Sequence, residues 1–446
     1  MRAFLLELKS ICLSYRFLFF FLIIVFLPFA FIQQSQSDLQ TQQSYRHIYH
    51  KNTIILLETR ISYYQEAWEA GKLELTEDEY ENFSGYLRYL LSVAEERYQH
   101  YNHHNWDTYN LQTIKSNLLL WENEANQYAS APTPPQYFGE DWQQIRSLAN
   151  YPHFTPHTMS DENEQSAEST ILNTDYHWHL HQLGLQPLGP HYPQSPWAFV
   201  FNFGRNVLPS VLGAIALIFT VNLLHQERRT GAQKTALQIQ GRLRYLSRKV
   251  AQGFLAVTLV VLLPLVMSVS FLGIRYGFSG LNHPVLVYNS FLSFSVNPEQ
   301  VNMYELTDNI RTLGLSQYAE GHTSFYNLEQ LDFIPLWQFL SLALLLTLLF
   351  ILFCSVLGIL ISLVIKNGVF AQVVAAAVAV LGAALGSIIP NLDTTPWDIF
   401  SAANPIPLLE GAYYSTYLSS FLILGAAAMS LFLLSIIVFQ RQDVNC

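Results

Sequence analysis

Charge is what this sequence has least of. Only 13% of its 446 residues are Asp, Glu, Lys or Arg, about half the usual share for a soluble domain. Cysteine is almost as scarce: Cys12, Cys354 and Cys446. None falls in the long polar stretch 34–197, which excludes a disulfide framework there and fits a bacterial surface domain better than an animal ectodomain. No Cys/His spacing resembles a zinc site. No Gly-x-x-x-x-Gly-Lys-Ser/Thr phosphate loop is present, so the chain does not hydrolyse ATP by that means. No nucleophile elbow marks a hydrolase either.

Apolar residues make up 51% of the chain, and they come in blocks. A membrane span needs about 20 mostly apolar residues. Six stretches qualify: 17–33, 199–224, 250–274, 335–365, 368–390 and 416–439. Each is expected to be helical, because lipid leaves backbone groups no other way to pair. Residues 1–16 read as an interfacial amphipathic helix or as the start of the first span. The first span has a basic approach (Arg2, Lys9, Arg16) but a bulky body and no small-x-small site after it, so it reads as a retained signal-anchor.

Charge orients the spans. With the N-terminus inside, the inner pieces carry 12 basic residues against three acids, Glu7, Glu227 and Asp443, and the outer pieces hold the other 11 basic and 30 acidic residues. Short basic loops stay inside. The expected fold is therefore an all-α membrane protein with six transmembrane helices, both termini cytoplasmic, in a plasma membrane. A large, mainly helical extracellular domain, 34–197, lies between the first and second spans. The expected order is 1–33 (interfacial helix and first span), 34–197, 198–274 (second and third spans), 275–334 (a second outer segment), then 335–446 (last three spans, with an outer segment 391–415). Prolines at 390, 396, 405 and 407 suggest that 391–415 partly re-enters the membrane as short helices.

Within 34–197, Ile48, Ile54, Ile55, Leu57, Ile61, Tyr64 and Trp68 recur at helical spacing over 41–70. Thr76-Glu77-Asp78-Glu79 is a capping box that predicts a helix start, running to about 102, and a third helix is expected over 107–129. The stretch 131–197 is rich in Pro, His and acids and is expected to be irregular. Its His177-Trp178-His179-Leu180-His181 run, taken as a strand, would place three imidazoles on one face, a candidate metal set. His103-His104 is another pair. The domain's 21 acids against eight bases read foremost as a soluble, self-repelling surface.

The loop from His225 to Lys249 is the most informative segment. Glu227 and Arg228 leave the second span, Gly231 breaks it, and a short amphipathic helix with Ala236, Leu237 and Ile239 is expected over 232–240. Gly241 ends that helix, and a basic stretch from Arg242 leads into the third span. Elsewhere, Arg205 sits near the outer end of the second span, where an ionisable group is a functional candidate unless it snorkels to the surface. The fifth span is rich in small residues, and Gly382-x-x-x-Gly386 permits close helix approach.

The Glu-Arg-Arg-x-Gly-Ala-x-x-x-x-Leu run, with Ser-Arg-Lys before the next span, resembles the loop after the second span of type-2 ABC exporter permeases. Gly231-Ala232 stands where that family usually has Gly-Thr, Leu237 and Ile239 stand near its leucine pair, and Gln240-Gly241 replaces its proline. Asn404-Pro405 between the last two spans adds to the likeness, which does not extend over 34–197. The resemblance implies that 227–241 is a coupling helix docking on a separate cytoplasmic ATPase, with Glu227, Arg228, Gly231, Ala232, Leu237, Ile239, Gly241 and Arg242 at the contact. It also implies a second permease chain, identical or related, packed through the first and fifth spans, with Gly382 and Gly386 as interface candidates. This chain would bind no cofactor or metal, ATP being used by the partner, and the lipid bilayer rather than nucleic acid would surround it. The expected activity is transport rather than catalysis: export of a peptide, a lipid-linked molecule or an antimicrobial compound. The alternative is a membrane-anchored sensor or scaffold whose outer domain binds a ligand. An intramembrane enzyme is disfavoured by the near absence of polar groups in the last three spans, and a sensor by the lack of a cytoplasmic signalling domain.

Overall fold

The structure, a computed structural model, describes residues 15–124, 133–150, 167–187, 195–288, 292, 331–388, 399–400, 404–410 and 416–442. The expected interfacial helix over 1–16 lies almost wholly outside these. Among the described residues the fold is helical, with one small antiparallel strand pair.

Helix α1 runs unbroken from Tyr15 to Glu69, 55 residues. At 1.5 Å per residue it is about 80 Å long, more than twice the hydrocarbon thickness of a bilayer. The sequence reading separated an apolar span from an outer helix beginning near 41; the structure joins them. Residues 33–46 contain neither Gly nor Pro, so nothing in the linking stretch stops a helix once it has started. Gly71, at φ +64°, turns the chain after α1, and Trp68 stacks on Tyr80 with ring centroids 4.5 Å apart.

Helix α2 (Glu77–Asn102) begins at the expected capping box. Thr76 Oγ1 accepts from the Glu79 amide at 3.3 Å, and Glu79 Oε2 accepts from the Thr76 amide at 2.7 Å. Three acids in the first turn face the positive end of the helix dipole. Helix α3 (Trp106–Glu124) follows; the last residues of its expected range lie outside those described. Among its described residues, the stretch expected to be irregular holds the helices α4 (Pro134–Phe138), α5 (Asp141–Ala149) and α6 (Ala167–Leu183). Packing overrides local composition here. On α6, Ile171, Leu172, Tyr176, Trp178 and Leu180 are almost fully buried, and the helix lies along α3. Leu57 of α1, Leu87 and Leu90 of α2, Ile114 and Leu118 of α3, Ile145 of α5 and Trp178 share one apolar core.

The segment expected as a second outer piece supplies β1 (Pro284–Tyr288) and β2 (Leu331–Pro335), paired antiparallel with Val285 opposite Ile334. Leu286 packs against Ile171, Tyr176 and Leu180 of α6, which ties this ribbon to the helices of 34–197.

The apolar part is built from α7 (Pro196–Asn206), α8 (Leu208–Thr230), α9 (Ala232–Gln240), α10 (Arg242–Tyr276), α11 (Leu336–Val364), α12 (Gly368–Ile388), α13 (Pro405–Leu409) and α14 (Tyr417–Arg441). Among the described residues, α10, α11 and α14 are long and apolar enough to cross a membrane, and Phe21–Gln33 and Gly368–Gly382 are shorter apolar stretches. The expected second span is divided at Val207 into α7 and α8. Pro209 opens α8, where its missing N–H costs nothing. The basic stretch after Gly241 is not a linker but the first two turns of α10.

Helix α11 is the hub, packed against α8, α10, α12 and α14. Thr220 marks the closest crossing. A Cβ on Gly358 of α11 would overlap Thr220 Oγ1, and one on Gly253 of α10 would lie 2.8 Å from Thr220 Cγ2. Three helices meet there because two of them present no side chain.

Candidate functional site

The segment that follows α8 is a helix between two glycines, as its sequence suggests. Gly231 adopts φ +71° and stops α8; Gly241 adopts φ +73° and starts α10. Both values lie in the left-handed region that an L side chain enters at a cost. Between them α9 makes two and a half turns.

The loop's charged residues divide into two sets. The inward set is structural. The Glu227 carboxylate accepts from the Tyr245 hydroxyl at 2.5 Å and pairs with the Lys249 ammonium. Lys249 also donates to Gln252 Oε1 at 2.8 Å and lies 5.6 Å from the centre of the Tyr245 ring. Tyr245, Lys249 and Gln252 stand four and three residues apart, on one face of α10, and all three are nearly fully buried. Arg228 donates to the Ser362 carbonyl at 2.8 Å, satisfying a C-terminal group of α11. Arg242 donates to the carbonyls of Phe439 at 3.1 Å and Gln440 at 2.5 Å, doing the same for α14. Guanidinium groups suit these helix ends, where carbonyls lack intrahelical donors and the dipole is negative. Burial, then Arg228 nearby, holds the His225 imidazole below its ordinary pKa.

The outward set is different. Arg229, Lys234, Thr235, Gln238, Leu243 and Arg244 are exposed, and Ile239 is 76% exposed. Ala232 is exposed at the start of α9. Leu237 and Ala236 instead lean on the cluster of Leu224, Tyr245, Leu246, Leu363 and Phe439. Of the eight residues singled out in this loop, Leu237 packs α9 on the bundle, Glu227, Arg228 and Arg242 fasten the flanking helices to one another and to α11 and α14, the two glycines shape the helix, and Ala232 and Ile239 face outward.

Just before α8, the last turn of α7 carries Arg205. Its guanidinium meets the Glu410 carboxylate, with Nη1–Oε1 and Nη2–Oε2 both 3.4 Å. The side chains are 12% and 0% exposed. Glu410 was not legible beforehand, although an acid directly after the apolar Pro405–Leu409 run is the signal that would have found it. Gly382 is buried against Phe400 of the same chain, whose ring a Cβ would overlap. Gly386 lies one turn further along α12.

The histidine run of 34–197 lies on α6, not on a strand, and the helix splits it. His177 Nδ1 is 2.8 Å from Asn110 Oδ1. His179 pairs with Asp175 at 3.4 Å, and His181 with Asp107 at 2.7 Å. Residues two apart on a helix point about 200° apart. Among the described residues, no group of three or more His, Cys, Asp or Glu is placed to hold a metal ion. Asp175 is buried beside the Tyr137 hydroxyl at 2.9 Å, and burial raises its pKa against the lowering effect of His179. Tyr176 Oη is 2.9 Å from His283 Nε2, and burial pushes the His283 pKa down to about 3.

No known family's model matches the chain, and no curated protein or solved structure matches it either. The functional reading therefore rests on the residues themselves.

Proposed function

We propose that the chain is the membrane-spanning permease subunit of an ATP-driven exporter, coupled through α9 to a separate cytoplasmic ATPase. In this reading six spans cross the bilayer: the first part of α1, then α7 with α8, α10, α11, α12 and α14. The outer part of α1, with α2–α6 and the strand pair, stands on the extracellular side. The observation that carries the reading is α9 itself: a nine-residue helix set between two glycines of positive φ, with Leu237 packed on the bundle and Lys234 and Ile239 exposed.

An ordinary positive-inside loop explains the basic residues but not this division of labour. The inward network ties α8 to α10 on either side of α9, since Glu227 on α8 grips two residues of α10, and Leu237 packs α9 against the same cluster. Arg228 and Arg242 extend that unit to the inner ends of α11 and α14. A push on the exposed face of α9 would reach four helices through contacts that are already made. Ile239 is exposed on α9, and Arg229, Lys234 and Arg244 are exposed along the same segment, a combination suited to an acidic soluble partner.

An ATP-binding cassette subunit is expected to be encoded beside this chain, and co-purification with such a subunit tests the reading. Ile239→Glu is expected to lose capture of that subunit and stimulation of its ATP hydrolysis, while the chain elutes as before. Undiminished capture and stimulation in Ile239→Glu would refute the docking assignment.

A further inference from the structure

We propose that the Arg205–Glu410 ion pair is a latch that holds the short helix α13 against α7 at the end of the bundle remote from α9. The proposal stands on the packing of α13 and goes beyond the docking reading, since it requires no ATPase.

Helix α13 has five residues, too few to stabilise itself by internal hydrogen bonds. Its place is set by what it leans on. All five residues are buried. Ile406 lies over Gly204 of α7, where a Cβ would come within 3.0 Å of Ile406 Cδ1. At its start, Asn404 Nδ2 donates to the Arg205 carbonyl at 3.3 Å. At its end, Glu410 meets the Arg205 guanidinium. Two consecutive residues of α7 thus fasten α13 at its start, middle and end.

The chemistry of the third fastener points to release. Buried ion pairs are seldom more stabilising than apolar pairs of the same size, so bulk stability is a poor reason to place one here. What it supplies is a contact satisfied in only one arrangement. Both N–O distances are 3.4 Å, longer than the 2.7–2.9 Å typical of a tight charge-assisted bond. Separated charges need water, so the pair opens only when water reaches the end of the bundle, and it closes again when water leaves. That is the behaviour of a two-state element rather than of a filled core.

The test uses the full-length chain in intact cell membranes, carrying Ile406→Cys as a reporter. Ile406 is 2% exposed, so a membrane-impermeant maleimide labels it slowly while α13 is down. Arg205→Gln and Glu410→Gln are each expected to speed labelling about tenfold, the change from a minor to a well-populated open state. Buried Cys354 of α11 is expected to stay unlabelled, and Arg205→Lys to label close to the parent rate. Where a neutral single variant does not accumulate, Arg205→Met combined with Glu410→Met replaces the pair by an apolar contact that water does not open, and is expected to label more slowly than the parent. Parent-rate labelling in that double variant, or an equal rise at Cys354, overturns the latch: the first means that packing alone holds α13, the second that the bundle has merely loosened.

Discussion

Acid should loosen the junction between α6 and β1, and His283 sets the amount. Its imidazole is 1% exposed, meets Tyr176 Oη at 2.9 Å, and has its pKa held at about 3 by burial. In an unfolded or locally opened chain the same group titrates near 6.5. The folded state therefore binds fewer protons between those values, and stability rises with pH across that window. At pH 5 an opened His283 is largely charged while the buried one is neutral. The difference is worth about 2 kcal/mol relative to neutral pH, or roughly a thirtyfold rise in local opening. Asp175 works the other way. Its pKa is raised in the fold, so its contribution is full below about pH 4 and is lost as pH rises through the folded value. Comparison with His283→Gln cancels that term, because Asp175 is common to both chains. The assay is hydrogen exchange at β1 in the solubilised full chain, corrected for the intrinsic pH dependence of exchange. Protection in the parent is expected to fall by more than in His283→Gln on going from pH 7 to 5, by about thirtyfold. Equal acid sensitivity in the two chains would refute the reasoning.

Removing one partner of the Glu227–Lys249 ion pair leaves a charge behind, so Lys249→Met is expected to cost about 3 kcal/mol, while Glu227→Gln with Lys249→Met recovers most of it. Thermal unfolding monitored by elution of the monodisperse fraction reads both, and additive losses would contradict the pairing. Gly358→Ala is expected to lower the melting temperature because its Cβ overlaps Thr220 Oγ1, and Thr220→Ala in the same chain should restore part of the loss. Thr76→Ala removes the hydroxyl that accepts from the Glu79 amide and donates to the Glu79 carboxylate and should cost about 1 kcal/mol, read as faster proteolysis near the start of α2.

The sequence was readable wherever the signal is local. Thr76 and Glu79 stand three residues apart, so one capping box marks the start of α2. Gly231 and Gly241 need only their own backbone angles to isolate α9. Apolar length alone identifies α10, α11 and α14 as helices able to cross a membrane. Composition failed where packing over long separations decides. Nothing local says that α1 continues through residues 33–46. The Pro-, His- and acid-rich stretch looks irregular until α3 offers α6 a face, and the strand pair appears only when residues about 45 apart along the chain meet.

The division between sequence and tertiary structure is sharpest in the charges. Their sparseness, their block arrangement and the basic loop are properties of the chain and lead to a membrane reading by themselves. Which charge meets which is not. Arg205 and Glu410 are 205 positions apart, and Arg242 reaches a carbonyl 197 residues away. In sequence Arg228 and Arg229 are neighbours of equal standing; in the fold one satisfies the end of α11 and the other faces outward. A buried charge is tolerable only beside its partner, and that partner is supplied by the packing of distant helices.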